Sequence, residues 1–578
     1  MLDLFEQSFR GADVEAAVAL LATTGETGRG AFFTKPEIVD AILDLCNYTE
    51  DAPLHLRRLL EPAFGAGDFL LPAVGRLLAA YERRGGDIAV AHLSLGDCIR
   101  GVELHDATFR QTRTSLCEYL IRRGITKSAA DRLCAKWLIR DDFLLTSLDG
   151  GFNFVVGNPP YVRQERIPDA LLREYRRRFR TLYDRADLYV PFFERALDLL
   201  STDGILGYIC ANRWLKNRYG GPLREKISHG YWLRYFIDME NVDAFHAEVI
   251  AYPAITVIQC AGEGCAGATR TVSGTAVASG SLPSVVTALL ANEPEMGVVE
   301  YFTAPSRSSA PLLLGDASRT TLLRRIEREF PSVEDAACRV GIGVATGCDR
   351  VYVDDFDSLP VEDDRKLPLV MARDLRDGKI VWGGKGVLNP FDDSGRLVLL
   401  QAYPRLARYF LAHRDAIAAR NVARRDPAGW YRTIDRIQPG LLRTPKILVP
   451  DIKGEGVFVV DNGSYYPHHN LYFITSAEWD LHALRAVLRS SLTLLTIATY
   501  CTRMAGGFLR FQAQYLRRIR IPLWSQVDEG LKQRLIAASG SPQLEDVDEL
   551  VDQLYGLSPA DGRCVRAAAA ARYRKTRP

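Results

Sequence analysis

The sequence predicts an α/β fold: a doubly wound, mostly parallel, Rossmann-like sheet with helices on both faces, followed by an α+β region. Three observations carry this. Through the first 260 residues, short apolar, β-branched runs alternate with amphipathic helical stretches, the pattern of strands joined by crossover helices. A glycine turn, Gly65-Ala66-Gly67, stands directly between one such strand and the helix after it. Hydrophobic residues are 47% and charged residues 25% of the 578, a globular balance that excludes a mainly disordered chain and supplies core for several domains.

The elements follow in order. Arg58-Leu59-Leu60-Glu61 ends a short buried strand, and a helix is expected over 69–84. A second strand is read over 99–103, with a long helix behind it. The apolar run 152–157 is a third, stopped by Asn158-Pro159-Pro160, and 204–210 is another, entered by the turn Thr202-Asp203-Gly204. From 263 to 309 the chain turns rich in Gly, Ala, Ser and Pro, as a connection between domains would. The expected organisation is a catalytic domain over 1–262, a connecting segment over 263–309, a recognition domain over 310–525 and a helical tail over 526–578.

Charge and cysteine usage narrow the class. Lys plus Arg number 73 and Asp plus Glu 71, a net charge of only +2, so a nucleic-acid surface has to come from local clustering. The 11 cysteines are scattered without a CxxC pair, and Cys260 with Cys265 lacks a second ligand pair for zinc. They read as reduced, mostly buried thiols. No apolar run reaches the ~18–20 residues that span a bilayer, and the acidic N-terminus lacks the layout of a signal peptide. The expectation is a soluble, cytoplasmic protein with no membrane partner.

Glycines after a strand let a backbone approach a ligand at the carboxyl edge of such a sheet. At the end of the next strand, 36 residues beyond Gly67, stands Glu103, an acid able to accept from both hydroxyls of a ribose. The dinucleotide pattern G-x-G-x-x-G fails at Leu70, and no Walker-type GK[ST] occurs. A tight strand-to-helix turn with a solvent-facing Glu fits the same spacing.

Val156-Gly157-Asn158-Pro159-Pro160-Tyr161 is more specific. The two prolines fix the backbone and remove two amide donors, which leaves the Pro159 carbonyl as an acceptor. The Asn158 side-chain oxygen is a second acceptor. Two adjacent acceptors suit an exocyclic amino group, and the Tyr161 ring can stack a planar base. Beside a nucleoside-binding loop, that set is what methyl transfer to a base nitrogen needs; a plain strand-ending turn is the alternative.

With these motifs in this order, the chain resembles an adenine-N6 DNA methyltransferase that uses S-adenosylmethionine. It is similar to the gamma arrangement (cofactor motif, then catalytic motif, then recognition domain) and to TaqI-type enzymes of type II restriction-modification systems, from about Gly28 to Pro522. The resemblance implies that Thr34, in Thr34-Lys35-Pro36, holds the methionine part of the cofactor, and that Glu61, Ala63, Gly65 and Gly67 form its glycine loop. It implies Glu103 on the ribose, Asp142 of the pair Asp142-Phe143 on the adenine amino group, and Phe192 packed on that adenine. Asn158, Pro159, Pro160 and Tyr161 would form the catalytic motif, and Phe245 a second aromatic contact to the extruded base. The motif around Phe245 is loose, with His246 where the family often has Pro. No metal is required, because a sulfonium is already a good leaving group.

The second half supplies the candidate DNA contacts. Between Arg405 and Lys446 lie ten basic residues against three acids, with Trp430 and Tyr431 among them. Arg424 and Arg425 are the expected phosphate contacts; a solvated helix face is the competing reading. Arg173, Arg176, Arg177, Arg178 and Arg180 form a second basic cluster soon after Tyr161. In the segment from Gly506 to Leu516, Arg510 and Gln512 are candidates to meet base edges, or else to order loops. His468 and His469 are not read as metal ligands, because no acid or Cys stands at ligand spacing. Only about 27 residues precede Gly28, too few for a fused nuclease domain, which leaves room for a separate cognate restriction endonuclease. Two rivals remain: an N-methyltransferase acting on RNA or on a protein glutamine, and a DNA-recognition subunit of this fold without turnover.

Overall fold

The computed structural model describes residues 11–23, 34–239, 242, 245, 253–261, 267–273, 277, 281–291, 299–303, 308–314, 317–453, 457–501 and 509–573. The chain divides into two compact units, Met1–Ala317 and Ser318–Pro578.

In the first unit the large sheet consists of β1 (Leu59–Glu61), β2 (Ile99–Glu103), β3 (Leu138–Arg140), β4 (Phe152–Gly157), β5 (Leu200–Ala211), β6 (Tyr231–Asp238), β7 (Pro253–Cys260), β8 (Thr269–Val272) and β9 (Glu300–Phe302). Their spatial order is β3-β2-β1-β4-β5-β7-β6-β8-β9. From β3 through β5 every pairing is parallel, whereas β7 runs antiparallel to both β5 and β6. The central strands are apolar on both faces because helices cover both. Successive side chains alternate between two cores: Leu59 and Phe154 join Ile38, Leu70, Leu116 and Leu133, while Leu60 and Val155 join Tyr189, Phe193, Tyr208 and Leu223. Each such fully buried side chain contributes about 1.5–3 kcal/mol. The predicted helix over 69–84 appears as Leu70–Glu82, and the long helix after β2 as Asp106–Arg122.

The segment 263–309 departs from the expected connection. It carries β8, the helix Leu282–Leu290 and β9, and β8 pairs in parallel with β6. Val285, Val286 and Leu289 of that helix are buried in the same core as Ile38. Ser281 caps the helix by accepting from Ser284 N at 3.3 Å. The elements are short, and the Gly- and Ser-rich stretches around them masked their pattern.

The second unit is α+β. One antiparallel sheet orders Cys338–Ile342, Leu471–Ser476, Lys446–Pro450 and Val459–Asp461; a second orders Val353–Asp355, Lys385–Leu388, Lys366–Val370 and Tyr466–Pro467. The tail is helical over Glu529–Ala538, Leu544–Tyr555 and Pro559–Tyr573. It is tied down by Asp548, which accepts from Ser491 N at 2.7 Å and Ser491 Oγ at 2.6 Å. Among the described residues no single helix is long and apolar enough to cross a bilayer.

Candidate active site

From β1 the chain winds outward through β2 to β3, then returns to place β4 on the other side of β1. The crossover connections therefore diverge at the carboxyl ends of β1 and β4, where open α/β sheets hold their ligands. The glycine loop leaves β1 there and Asn158 leaves β4, and between them opens a cleft of about 130 Å³. Thr34, Glu61, Ala63, Gly65, Glu103, Asp142, Phe143, Asn158, Pro160 and Phe192 all line it.

One hydrogen-bond chain joins the two motifs. Asn158 Nδ2 donates to Thr34 Oγ1 at 3.3 Å, and Thr34 N donates to Asp68 Oδ2 at 2.8 Å. Asp68 directly follows Gly67, so the Asn-Pro-Pro turn and the glycine loop are held through a residue far from both in sequence. Glu103 accepts from the backbone N–H groups of Gly65 at 2.9 Å and His105 at 2.8 Å, which fixes its carboxylate at the mouth of the loop. Gly65 has φ +50° and open space where a Cβ would stand. At Gly67, φ is +91° and a Cβ would meet Thr112 Cγ2 at 3.0 Å, so glycine is required there.

Glu61 is 1% exposed, and its Oε2 is buried without a hydrogen-bond partner among the described residues. Burial, reinforced by Asp68 and Glu103, raises its carboxyl well above the ordinary range. A buried acid beside a backbone with room for close approach suits a ligand that brings positive charge. Further along the cleft, Asp142 accepts from Leu144 N at 2.7 Å and from the Tyr175 hydroxyl. The Phe143 and Phe192 rings lie 4.9 Å apart.

Pro159, Tyr161, Gly67 and Phe245 are not in the cleft wall. Tyr161 and Phe245 nevertheless meet edge to face at 6.4 Å, and Phe245 bridges Thr34 through the backbone. Burial keeps the Tyr161 hydroxyl protonated by raising it well above its usual value. Gly28, His246 and residues 506–508 lie outside the described residues. Sequence reasoning missed Asp68, although it adjoins the glycine loop, and Tyr175, whose arginine-rich helix Asp169–Arg178 gave no sign that it reaches the cleft.

In the second unit the basic run splits. Arg424 and Arg425 are exposed on the helix Asn421–Arg425. Arg420 turns inward and donates to the carbonyls of Thr346, Ile417, Trp430 and Arg432. Lys446 is 0% exposed, 2.7 Å from Asp461, and also donates to the carbonyls of Leu441, Leu442 and Thr444. Both leave the expected phosphate footprint, since their donors are spent inside the fold. Arg510 pairs with Asp451, and Gln512 lies 3.0 Å from Gln514, so both have partners within the chain. Around Tyr175, Arg177 and Arg178 pair with Glu174 and hold its carboxyl down at about 2.

A family profile described as the Eco57I restriction-modification methylase matches residues 87–245. The chain is 52% identical over 551 residues to the type II methyltransferase M.PaeR7I of Pseudomonas aeruginosa, covering 94% of this chain and 95% of that one. It is 50% identical over 537 residues to the type II methyltransferase M.XhoI of Xanthomonas vasicola, covering 92% and 98%. Among solved structures, the type IIL restriction-modification enzyme MmeI in complex with DNA matches with a TM-score of 0.60 at 13% identity, over 99% of this chain and 80% of that one, a likeness of fold. Identity of this degree over nearly the whole length places the chain among the type II DNA methyltransferases of restriction-modification systems.

Proposed function

We propose that this chain methylates N6 of an adenine flipped out of double-stranded DNA, with S-adenosylmethionine as donor, in the gamma, TaqI-type arrangement. The first unit performs the chemistry and the second recognises the target, alongside a separate cognate restriction endonuclease. The observation that carries the reading is the chain Asn158–Thr34–Asp68, which ties the amino-group acceptors to the glycine loop in one cleft. When bound, the cofactor supplies an electrophilic methyl group on a sulfonium.

Glu61 and Asp68 line the same cleft, and Glu61, once ionised, offers a negative charge to the cofactor's sulfonium. Glu103 receives the ribose hydroxyls, Asp142 the adenine amino group, and Phe143 and Phe192 pack on the ring. The Asn158 side-chain oxygen and the Pro159 carbonyl hold the two amino protons of the target base and so aim the nitrogen lone pair. Thr34 orients Asn158 by accepting from its amide nitrogen. Tyr161 stacks on the extruded base, and Phe245, crossed edge to face with it, supplies the second aromatic contact. Alignment of this kind can supply roughly 7–11 kcal/mol at its limit. No strong base is needed before attack, since the proton can leave once the nitrogen is cationic.

Long-read mapping of modified bases in DNA from cells expressing the chain tests the reading. N6-methyladenine at one defined sequence is expected. Methylated cytosine in its place, or methyl groups found only in RNA or on a protein glutamine, would overturn it.

A further inference from the structure

Asp349 and His468 stand 119 positions apart in sequence, yet Asp349 Oδ2 lies 3.0 Å from His468 Nε2. His469 completes a group whose three ligand atoms all lie within 4.8 Å of one another. The sequence showed two adjacent histidines with no acid at ligand spacing; the fold of the second unit delivers the acid from a distant turn.

The scaffold under the group is rigid. Asp349 opens the helix Asp349–Tyr352, where the chain leaves the sheet of Cys338–Ile342 for that of Val353–Asp355. His468 and His469 lie where it returns, between Tyr466–Pro467 and Leu471–Ser476. The two crossovers are pinned together: His469 N donates to Val344 O at 3.0 Å, and Val344 N to Pro467 O at 2.9 Å, while His468 N donates to Val370 O at 3.0 Å. At Gly343 a Cβ would come within 2.2 Å of the His468 carbonyl oxygen, so this approach depends on glycine. The other oxygen of Asp349 accepts from Thr346 Oγ1 at 2.5 Å, the kind of hydroxyl contact that orients a metal-binding carboxylate.

We propose that Asp349, His468 and His469 form a binding site for a divalent transition metal ion, zinc or an ion of similar preference, that clips the two crossovers together. Two nitrogens and one carboxylate suit zinc, whereas calcium and magnesium favour all-oxygen shells. Bonds of about 2.0–2.2 Å place tetrahedral ligands roughly 3.3 Å apart. The Asp349–His468 pair already has nearly that spacing. His469 is exposed and able to turn onto the ion, while His468 is 3% exposed and fixed. The site uses none of the residues of the cleft.

The test is titration of the chelator-treated full-length chain with Co(II), followed by visible absorption and by thermal unfolding. Expected are saturation at about one equivalent, displacement by Zn(II), and a metal-dependent rise in Tm. His469→Ala, at an exposed position, should keep the metal-free Tm and weaken Co(II) binding by about tenfold or more, and Asp349→Asn should weaken it likewise. The proposal fails if the wild-type chain shows no saturable binding. It fails equally if His469→Ala binds Co(II) as the wild type does, which would locate the ion on other histidines.

Discussion

In the first unit, Gly65, just past one parallel strand, and Glu103, at the end of its neighbour, stand 38 positions apart and meet at 2.9 Å in one cleft. In the second, ten basic residues of one 42-residue stretch divide between surface and core, with Arg425 in solvent and Lys446 at 0% exposure. The difference lies in what positions a side chain. Motifs at the carboxyl ends of parallel strands inherit their place from the topology, because the switch point gathers strand ends whatever their separation along the chain. A count of charges has no such anchor, and each arginine goes where its own donors find acceptors.

The sharpest way to break this contrast is at Lys446. If it is a structural ion, Lys446→Ala leaves Asp461 buried and unpaired and should destabilise the chain by about 3–5 kcal/mol in denaturant unfolding. Replacing both partners by apolar residues, Lys446→Met with Asp461→Leu, should restore only part of that loss, because Asp461 also accepts from Ser464 N at 3.0 Å and Tyr465 N at 3.3 Å. A single variant as stable as wild type would return Lys446 to the candidate DNA surface.

On the side of the cleft, Asn158→Ala should lower the methyl-transfer rate by roughly 10²–10³-fold, about 2.7–4 kcal/mol, while calorimetry still shows cofactor binding. Loss of cofactor affinity in equal measure would mean that Asn158 serves the loop and not the base.

The raised carboxyl of Glu61 gives a pH signature. Its folded-state value lies above the ordinary one, so the ligand-free protein holds this proton to higher pH than an exposed carboxylate does. A cation that binds against the ionised form must expel that proton. Cofactor affinity should therefore rise with pH until the raised value is passed, with proton release visible as a buffer-dependent calorimetric heat. Glu61→Gln should abolish both effects; a pH-independent affinity in the wild type would remove Glu61 from the cofactor site.

The smallest effect is expected at Arg424 and Arg425. Neutralising both to Gln should weaken specific and random duplexes alike and flatten the log–log salt slope by roughly 1.8. Arg420→Gln should instead lower Tm, because its guanidinium fastens the carbonyls of Thr346 and Trp430. Equal salt slopes in wild type and the Arg424/Arg425 variant would refute the phosphate assignment.

What was legible in the sequence follows the same division. Strand-plus-turn motifs such as Leu59-Leu60-Glu61 with its glycine loop, and Val155-Val156-Gly157 with Asn158, announce both an element and a site, because local pattern and global position agree. The short strands β8 and β9 were hidden, since three or four residues among Gly and Ser carry too little periodicity to register. The reach of Tyr175 into the cleft and the meeting of Asp349 with His468 depend on how distant elements pack, and no window of sequence contains them.

Adenine-N6 methylation leaves a product that a single digestion identifies. Duplex DNA incubated with the purified chain and methyl-labelled S-adenosylmethionine is digested to nucleosides and resolved by mass. The label is expected in N6-methyldeoxyadenosine, and should disappear with Asn158→Ala. Label in a methylated cytosine, or DNA left unlabelled by a correctly folded chain that binds the cofactor, would contradict adenine-N6 methylation.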